Sequence, residues 1–226
     1  MTYDNQPDIL VTLKDLGFGE DPQLREKFET FVEKGGIKIE MNCEIPFPHS
    51  ILMCELCFEP RGPLQKIILS RYLACLHYSD GSQKDKSQMF DIGTEGPISI
   101  IQAFNLLEGR AVFSKRPLGS SYVRNTWVRI DFDRKNELGY YKYKQARSDE
   151  NYDLESVLSR YPIREMKDNE TKMELLNSLR QGNLHPVMFD KATKSERMFI
   201  EANPEFMTIN IYPNCLPPHI RIKLRK

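Results

Sequence analysis

The sequence has no excess charge of either sign and no long apolar run. Among its 226 residues, 32 Lys and Arg balance 32 Asp and Glu, so the formal net charge is zero. This balance argues against a whole-surface nucleic-acid binder but leaves a local basic patch open. No apolar stretch approaches the roughly 20 residues that cross a bilayer, and the N-terminus lacks the basic-then-apolar pattern of a secretory signal. We therefore expect a cytoplasmic protein that makes no membrane contact.

Cysteine is sparse and does not form a recognisable framework. The five cysteines are Cys43, Cys54, Cys57, Cys75 and Cys215. An odd number at scattered spacings is not typical of a disulfide-bonded fold, so we expect reduced thiols. Cys54 and Cys57 form a CxxC, but their run ILMCELCF favours a strand, in which residues three apart point to opposite faces. Without a second CxxC, this pair predicts neither a redox centre nor a zinc site.

The motifs of common enzymes are also missing. Histidine occurs at only four distant positions, His49, His77, His185 and His219. The sequence has no short metal-binding spacing, no glycine-rich phosphate loop and no nucleophile elbow. We therefore predict a non-enzyme with no cofactor, no metal and no catalytic residue. The alternative is an enzyme whose site assembles from distant carboxylates, for which Asp131, Asp133 and Glu201 are the first candidates.

An internal repeat is the clearest feature that is present. Three segments follow one plan, in which an amphipathic helix ends at a glycine and strands follow. The glycines are Gly35 or Gly36, Gly109 and Gly182, at intervals of 74 and 73 residues. The pattern predicts an α+β fold of two or three related helix-plus-antiparallel-sheet units, over residues 1–92, 93–163 and 164–226. Helix, glycine and strand also follow each other in unrelated α+β proteins, which is the alternative explanation.

Capping patterns predict where the helices begin. Asp21 and Pro22 suit the start of the first helix, while Ser99 with Gln102 and Thr171 with Glu174 have the spacing of a capping box. A further short helix is expected over Asp153–Arg160. The predicted strands are Ile37–Cys43, Ile51–Phe58 and Ile67–Tyr78 in the first unit, Ala111–Phe113, Trp127–Phe132 and Tyr140–Lys144 in the second, and Val187–Phe189, Met198–Glu201 and Met207–Tyr212 in the third.

Two stretches are candidates for binding. Alternation along the strand places Tyr141 and Tyr143 on one face and Lys142 and Lys144 on the other. Single-stranded nucleic-acid binders combine aromatic stacking with cations, although a buried tyrosine face under a lysine-coated outer face is the alternative. The second stretch is the amphipathic C-terminal tail, whose cations are Arg221, Lys223, Arg225 and Lys226.

Charge is distributed unevenly along the chain. Residues 1–92 carry a balance of −5, residues 93–163 of +2 and residues 164–226 of +3. The tail alternates Ile220, Ile222 and Leu224 with its cations, a pattern that suits a strand added to a sheet edge. The charge gradient alone does not identify a partner.

Several segments resemble an uncharacterised family of Bacteroidetes proteins. The most specific is Phe199–Tyr212, which reads FIEANPEFMTINIY. Similar segments are Tyr152–Glu155, Tyr161–Glu165, Leu179–Asn183, Leu16–Gly19, Asn105–Val112 and Trp127–Phe132. The family is of unknown function, with relatives linked to mobile genetic elements, so the resemblance implies no substrate and no catalytic residue. The sequence departs from the family around Cys54–Cys75 and Pro46–Pro63.

Within the most specific segment, Asn203-Pro204 is a turn signal, because the residue before proline avoids the helical region. A functional contact through Glu201 or Asn203 is the alternative. Taken together, the sequence predicts a cytoplasmic binding module whose partner is a protein or nucleic acid. A self-associating structural protein, in which Ile220–Leu224 completes a neighbour's sheet, is a third possibility.

Overall fold

The structure is a computed structural model that describes most of the chain. The described residues are 6–19, 26–28, 30, 39–63, 66–79, 81, 83–92, 97–118, 122–148, 152–191 and 193–213. The chain divides into two compact units. We call them the N-terminal unit (Met1–Leu107 with Asp133–Tyr141) and the C-terminal unit (Glu108–Phe132 with Lys142–Lys226). Among the described residues, no helix has both the length and the apolarity to cross a membrane.

The N-terminal unit is built on an antiparallel sheet of four consecutive strands, each paired with the next. Its elements are α1 (Gln6–Leu16), β1 (Ile39–Phe47), β2 (Ser50–Arg61), β3 (Lys66–Tyr78), β4 (Lys86–Asp91) and α2 (Ile100–Leu107). Because side chains alternate along a strand, one face of this sheet collects the apolar residues. Leu56, Tyr72 and Phe90 lie opposite one another on β2, β3 and β4 and form one buried row.

The helices supply the rest of this core. Tyr72 is completely buried, and its hydroxyl donates to the carbonyl of Ile98 at 2.7 Å, just before α2. Phe18, which follows α1, packs edge-on against the Tyr72 ring at a centroid distance of 5.4 Å. Phe47 at the end of β1 stacks on Phe104 of α2. The inner face is therefore covered by the two helices and their flanking residues.

The C-terminal unit and its connections contain two antiparallel sheets of three strands each. The elements are β5 (Val112–Leu118), β6 (Tyr122–Lys135), β7 (Tyr141–Ser148), α3 (Leu154–Leu158), a 3-10 helix (Arg164–Lys167), α4 (Asn169–Arg180), β8 (His185–Asp190), β9 (Ser195–Asn203) and β10 (Thr208–Pro213). Trp127 of β6 is the largest fully buried side chain and packs edge-on against Tyr152. Leu175, Leu176 and Leu179 form the buried stripe of α4 in the same core.

The fold class predicted from the repeat is confirmed. The helix α2 ends before Gly109 and is followed by the strands β5 to β7, while α4 ends before Gly182 and is followed by β8 to β10. Both glycines have the same left-handed backbone, with φ of +83° and +84°. The capping box of α2 is also present, because Ser99 N–H donates to Gln102 Oε1 at 3.1 Å and Gln102 N–H to Ser99 Oγ at 3.3 Å.

Several local predictions differ from the structure. The first sheet has a fourth strand, β4, which was missed because Gln88 and Phe90 are its only buried residues. The helix α4 begins earlier than the Thr171–Glu174 spacing indicated, because the carboxylate of Asp168 accepts the N–H of Thr171 at 3.0 Å. Met207 lies in a turn and not in β10. Most of the first predicted helix, with Gly35 and Gly36, lies outside the described residues, although residues 26–28 are helical.

Candidate binding surfaces

The outer face of the four-stranded sheet in the N-terminal unit leaves large apolar side chains in contact with solvent. Ile51 and Met53 of β2 are 38% and 40% exposed, and Leu73, Cys75 and Met89 beside them are half-buried. These residues alternate with the buried ones, so they share the face opposite the core. We call this surface the open sheet face. A contiguous exposed apolar patch of this kind is typical of an interaction site.

A cavity of about 700 Å³ lies at this surface. Its lining includes Met53, Leu73 and Cys75 together with the carboxylates of Glu44 and Glu55. Lys27 is the one lysine or arginine among the lining residues, so carboxylates outnumber fixed cations there. His77 also lines the cavity, and its Nδ1 lies 2.7 Å from Asp85 Oδ2. The lining of the cavity therefore combines apolar side chains with a small excess of carboxylates over cations.

Two of the cysteines at this cavity, Cys54 and Cys75, have raised pKa values. Cys43 and Cys54 lie directly opposite each other on β1 and β2, and the described cysteines are all free thiols. The hydrogen bond with Cys43, together with burial, raises the pKa of the Cys54 thiol, and burial raises the pKa of Cys75. Because the thiolate is the nucleophile and the metal ligand, the raised pKa values make Cys54 and Cys75 less reactive. The described residues also include no group of three or more His, Cys, Asp or Glu placed to hold a metal ion.

A second exposed apolar feature lies at the turn between β9 and β10. This turn is Pro204–Met207, and we call it the braced turn. Phe206 is 73% exposed, and Met207 has a φ of 53°, which is the left-handed region that a side chain disfavours. The Asn203-Pro204 turn signal is therefore confirmed. Backbone strain of this kind persists only where the surrounding contacts hold it in place.

Those contacts come from a buried polar network beneath the turn. Glu201 is almost completely buried, and its Oε1 accepts hydrogen bonds from Asn210 Nδ2 at 2.6 Å and from the Tyr212 hydroxyl at 2.8 Å. Asn203 Nδ2 donates to Asn210 Oδ1 at 2.8 Å, and Asn203 Oδ1 accepts the N–H of Phe206 at 3.4 Å. The network links β10 to the first residues of the turn.

The charged side chain of the turn is fixed by two cations. Glu205 Oε2 lies 2.9 Å from Arg129 of β6, and its Oε1 lies 2.6 Å from Lys144 of β7. The hydrogen bond from Lys144, supported by Arg129, lowers the pKa of Glu205 below its usual value. The carboxylate is therefore ionised at neutral pH, and the turn is attached to a neighbouring sheet on its outer side.

The predicted strand of alternating tyrosines and lysines forms part of β7. Lys142 and Lys144 are exposed, whereas Tyr141 and Tyr143 are half-buried. The backbone of Tyr141 is paired with the buried amide of Gln88, which accepts its N–H at 2.9 Å and donates to its carbonyl at 3.1 Å. This pairing gives Tyr141 a role in the fold. The four tail residues Arg221, Lys223, Arg225 and Lys226 lie outside the described residues.

The candidate carboxylates do not gather in one cleft. Glu201 lies beside a small cleft that is also lined by Arg110, Arg129 and Asn210, with room of about 10 Å³. That volume suits roughly one water molecule and no substrate. Asp131 is half-buried and Asp133 is exposed on β6, and neither is among the residues that line this cleft.

Sequence reasoning missed the residues that define both surfaces. Met53 and Ile51 were placed in a strand, but which of its two faces packs against the helices is decided by the tertiary structure. Phe206 and Glu205 follow a recognisable turn signal. Their position beside Arg129 and Lys144 depends on contacts between residues more than 60 positions apart along the chain.

Comparisons with known proteins find no match that would indicate a function. The chain matches no protein-family model, no curated protein and no solved structure. By its fold it is an α+β protein of antiparallel sheet units, two of which repeat the order helix, glycine and three-stranded sheet.

Proposed function

We propose that this protein is a non-enzymatic binding module that accepts a basic, amphipathic segment of a partner protein on its open sheet face. The observation that carries the proposal is the exposure of Met53 at a cavity of about 700 Å³, with Ile51 exposed two residues before it on the same strand. Cavities of this size are typical of binding sites. Exposed methionine is common on surfaces that bind partner segments, because its unbranched side chain adapts to different shapes.

The charge of the site favours a basic partner. Glu44 and Glu55 line the cavity with one lysine, and residues 1–92 as a whole carry a balance of −5. Complementary charge increases the rate of association and excludes acidic competitors. The apolar centre supplies the area that is removed from water on binding. A segment that alternates apolar and basic residues satisfies both requirements.

The chemistry of the described residues favours binding over catalysis. The Cys54 and Cys75 thiols beside the cavity have raised pKa values, and the cleft at Glu201 accepts no more than about one water. Neither the Cys54 and Cys75 thiols nor the small cleft at Glu201 combines an activated nucleophile with space for a substrate. We also propose a cytoplasmic location, which the odd number of cysteines supports.

The proposal is tested with two synthetic fluorescent peptides, one alternating leucine with lysine and the other alternating leucine with glutamate. We expect the lysine peptide to bind in an anisotropy titration and the glutamate peptide to bind much more weakly. Met53→Ser removes apolar contact at the centre of the site, so the affinity for the lysine peptide falls by about tenfold. Glu55→Lys reverses a charge at the rim and slows association.

Met173→Ser is the matched control, because Met173 is 50% exposed on α4 and does not line the cavity. Its affinity for the lysine peptide is expected to equal that of the unmodified protein. The proposal would be overturned if the protein bound both peptides with the same affinity. It would also be overturned if Met53→Ser and Met173→Ser had the same affinity for the lysine peptide. A stable homodimer that Met53→Ser dissociates would assign the face to a second copy of the chain instead.

A further inference from the structure

We infer that the braced turn of the C-terminal unit is a binding site for single-stranded nucleic acid, with Phe206 stacking on an unpaired base and Lys144 and Arg129 contacting phosphate. This site is separate from the open sheet face and does not depend on the function proposed for it. The inference rests on an exposed aromatic ring, a rigid support beneath it and an anion-binding pair beside it.

The ring of Phe206 is presented on a support that resists movement. With 73% of its surface exposed, Phe206 contributes little to the core. The residues beneath it are nevertheless held by the Glu201–Asn210–Asn203 hydrogen bonds, which also maintain the left-handed backbone at Met207. On the other side of the turn, the carbonyl of Thr208 accepts the Tyr152 hydroxyl at 2.7 Å. A turn whose backbone is already held in place loses little conformational freedom when it binds, which favours affinity.

The neighbouring cations already hold an anion. Glu205 directly precedes Phe206. One of its carboxylate oxygens forms an ion pair with Arg129 and the other with Lys144. A carboxylate and a phosphate present similar acceptor oxygens to these donors. The Lys144 side chain is 57% exposed and has three N–H donors, so it can approach a phosphate from solvent. Glu205 therefore marks an anion site and competes for it.

An exposed aromatic side chain distinguishes single strands from duplexes. Stacking on Phe206 requires the face of an unpaired base, whereas the bases of a duplex already stack on each other. Lys142 is exposed two residues before Lys144 on β7 and adds a second positive charge along the strand. Phosphates follow one another at regular intervals along a nucleic-acid backbone, so a row of lysines suits a nucleic acid.

The experiment measures binding of the full chain to a fluorescein-labelled twelve-nucleotide oligothymidylate by anisotropy, over a series of salt concentrations. The matching duplex and an oligoglutamate peptide are the competitors. We expect the single strand to bind more tightly than the duplex, with an affinity that falls linearly on a log–log plot against salt. Phe206→Ala lowers the affinity by about tenfold, as expected for the loss of one stacked base.

The charge variants give changes of opposite sign. Lys144→Gln weakens binding and reduces the salt slope by about one. Glu205→Gln releases both cations from their carboxylate, so the affinity rises by about two- to fivefold. Glu196→Gln is the matched control, because Glu196 pairs with Lys191 at 2.7 Å elsewhere in the same unit and the net charge changes equally. Truncation after Cys215 measures the contribution of the basic tail separately.

Four results would overturn the inference. They are no binding at low salt, equal affinity for single strand and duplex, equal effects of Glu205→Gln and Glu196→Gln, and displacement of the oligonucleotide by oligoglutamate at the same concentration. The last result would assign the turn to an acidic peptide. If the thermal unfolding of Phe206→Ala is unchanged, the variant is folded, and its loss of binding is caused by the missing ring and not by unfolding.

Discussion

Glu201 is buried, and its side chain accepts hydrogen bonds from two neutral donors. Both hydrogen bonds from Asn210 and Tyr212 reach the same oxygen, Oε1. A buried polar group without partners costs free energy, so the loss of this acceptor leaves two donors unsatisfied. The residue that the sequence suggested as a possible catalytic group therefore has a structural part in holding the β9–β10 hairpin.

Substitutions of Glu201 test this role. Glu201→Leu is expected to lower the free energy of unfolding by about 2 kcal/mol or more, because it removes the acceptor and keeps the bulk. Glu201→Gln retains an oxygen at the same position and is expected to cost roughly half as much. Urea denaturation measures both values.

Glu196→Leu is the control for these variants, because Glu196 belongs to a more exposed pair with Lys191. Its effect is expected to stay within about 0.5 kcal/mol. If Glu201→Leu cost no more than Glu201→Gln, the hydrogen bonds to Oε1 would not stabilise the hairpin.

The helices show how far local sequence predicts an element. The capping box at Ser99 and Gln102 and the glycine after each helix were predicted from residues a few positions apart, because their hydrogen bonds are local. The start of α4 was missed because two candidate caps, Asp168 and Thr171, lie in one turn, and only the structure shows that Asp168 accepts the N–H. Local competition of this kind limits predictions of element boundaries.

Gly109 provides a test at the scale of one element. With a φ of +83°, it connects α2 to β5, and an added Cβ would lie 3.6 Å from the ring of Phe132. That distance is an ordinary contact, so the cost of Gly109→Ala comes from the left-handed backbone. We expect the free energy of unfolding to fall by about 1–2 kcal/mol in a thermal or urea denaturation.

Asn177→Ala on the exposed side of α4 is the control, and its effect is expected to stay within about 0.5 kcal/mol. An unchanged stability in Gly109→Ala would show that the turn adopts another conformation in solution. Because Gly182 has nearly the same φ, Gly182→Ala is expected to behave in the same way.

In the whole molecule, the two proposed surfaces belong to different units. The open sheet face lies on β2 and β3 of the N-terminal unit, and the braced turn lies between β9 and β10 of the C-terminal unit. Sites that share no residues are expected to respond independently to substitution. Met53→Ser is therefore expected to lower the affinity for the lysine peptide and to leave the affinity for oligothymidylate unchanged. Phe206→Ala is expected to lower the affinity for oligothymidylate and to leave the affinity for the lysine peptide unchanged.

Both titrations on both variants, and on the double variant, check this independence. The double variant is expected to lose both activities by the product of the separate factors. A single substitution that lowers the affinity for both ligands would show that the two surfaces are coupled, or that the substitution disturbs the fold.

The sequence by itself determined the class of the fold and the alternation of its strands. Helix stripes, caps and terminal glycines act over a few residues, so the order of helix, glycine and strands around Gly109 and Gly182 was visible in the chain. The alternation along β7 likewise predicts that Lys142 and Lys144 share one face, and both are exposed.

Only the tertiary structure decided which surfaces are available and what lies beside them. Whether the face of β2 that carries Ile51 and Met53 is covered depends on where the helices pack, and periodicity does not contain that information. Glu205 contacts Lys144 across 61 positions of sequence, because the hairpin β9–β10 packs beside β7. Contacts of this kind follow from the burial of the core as a whole, so no local pattern in the sequence specifies them.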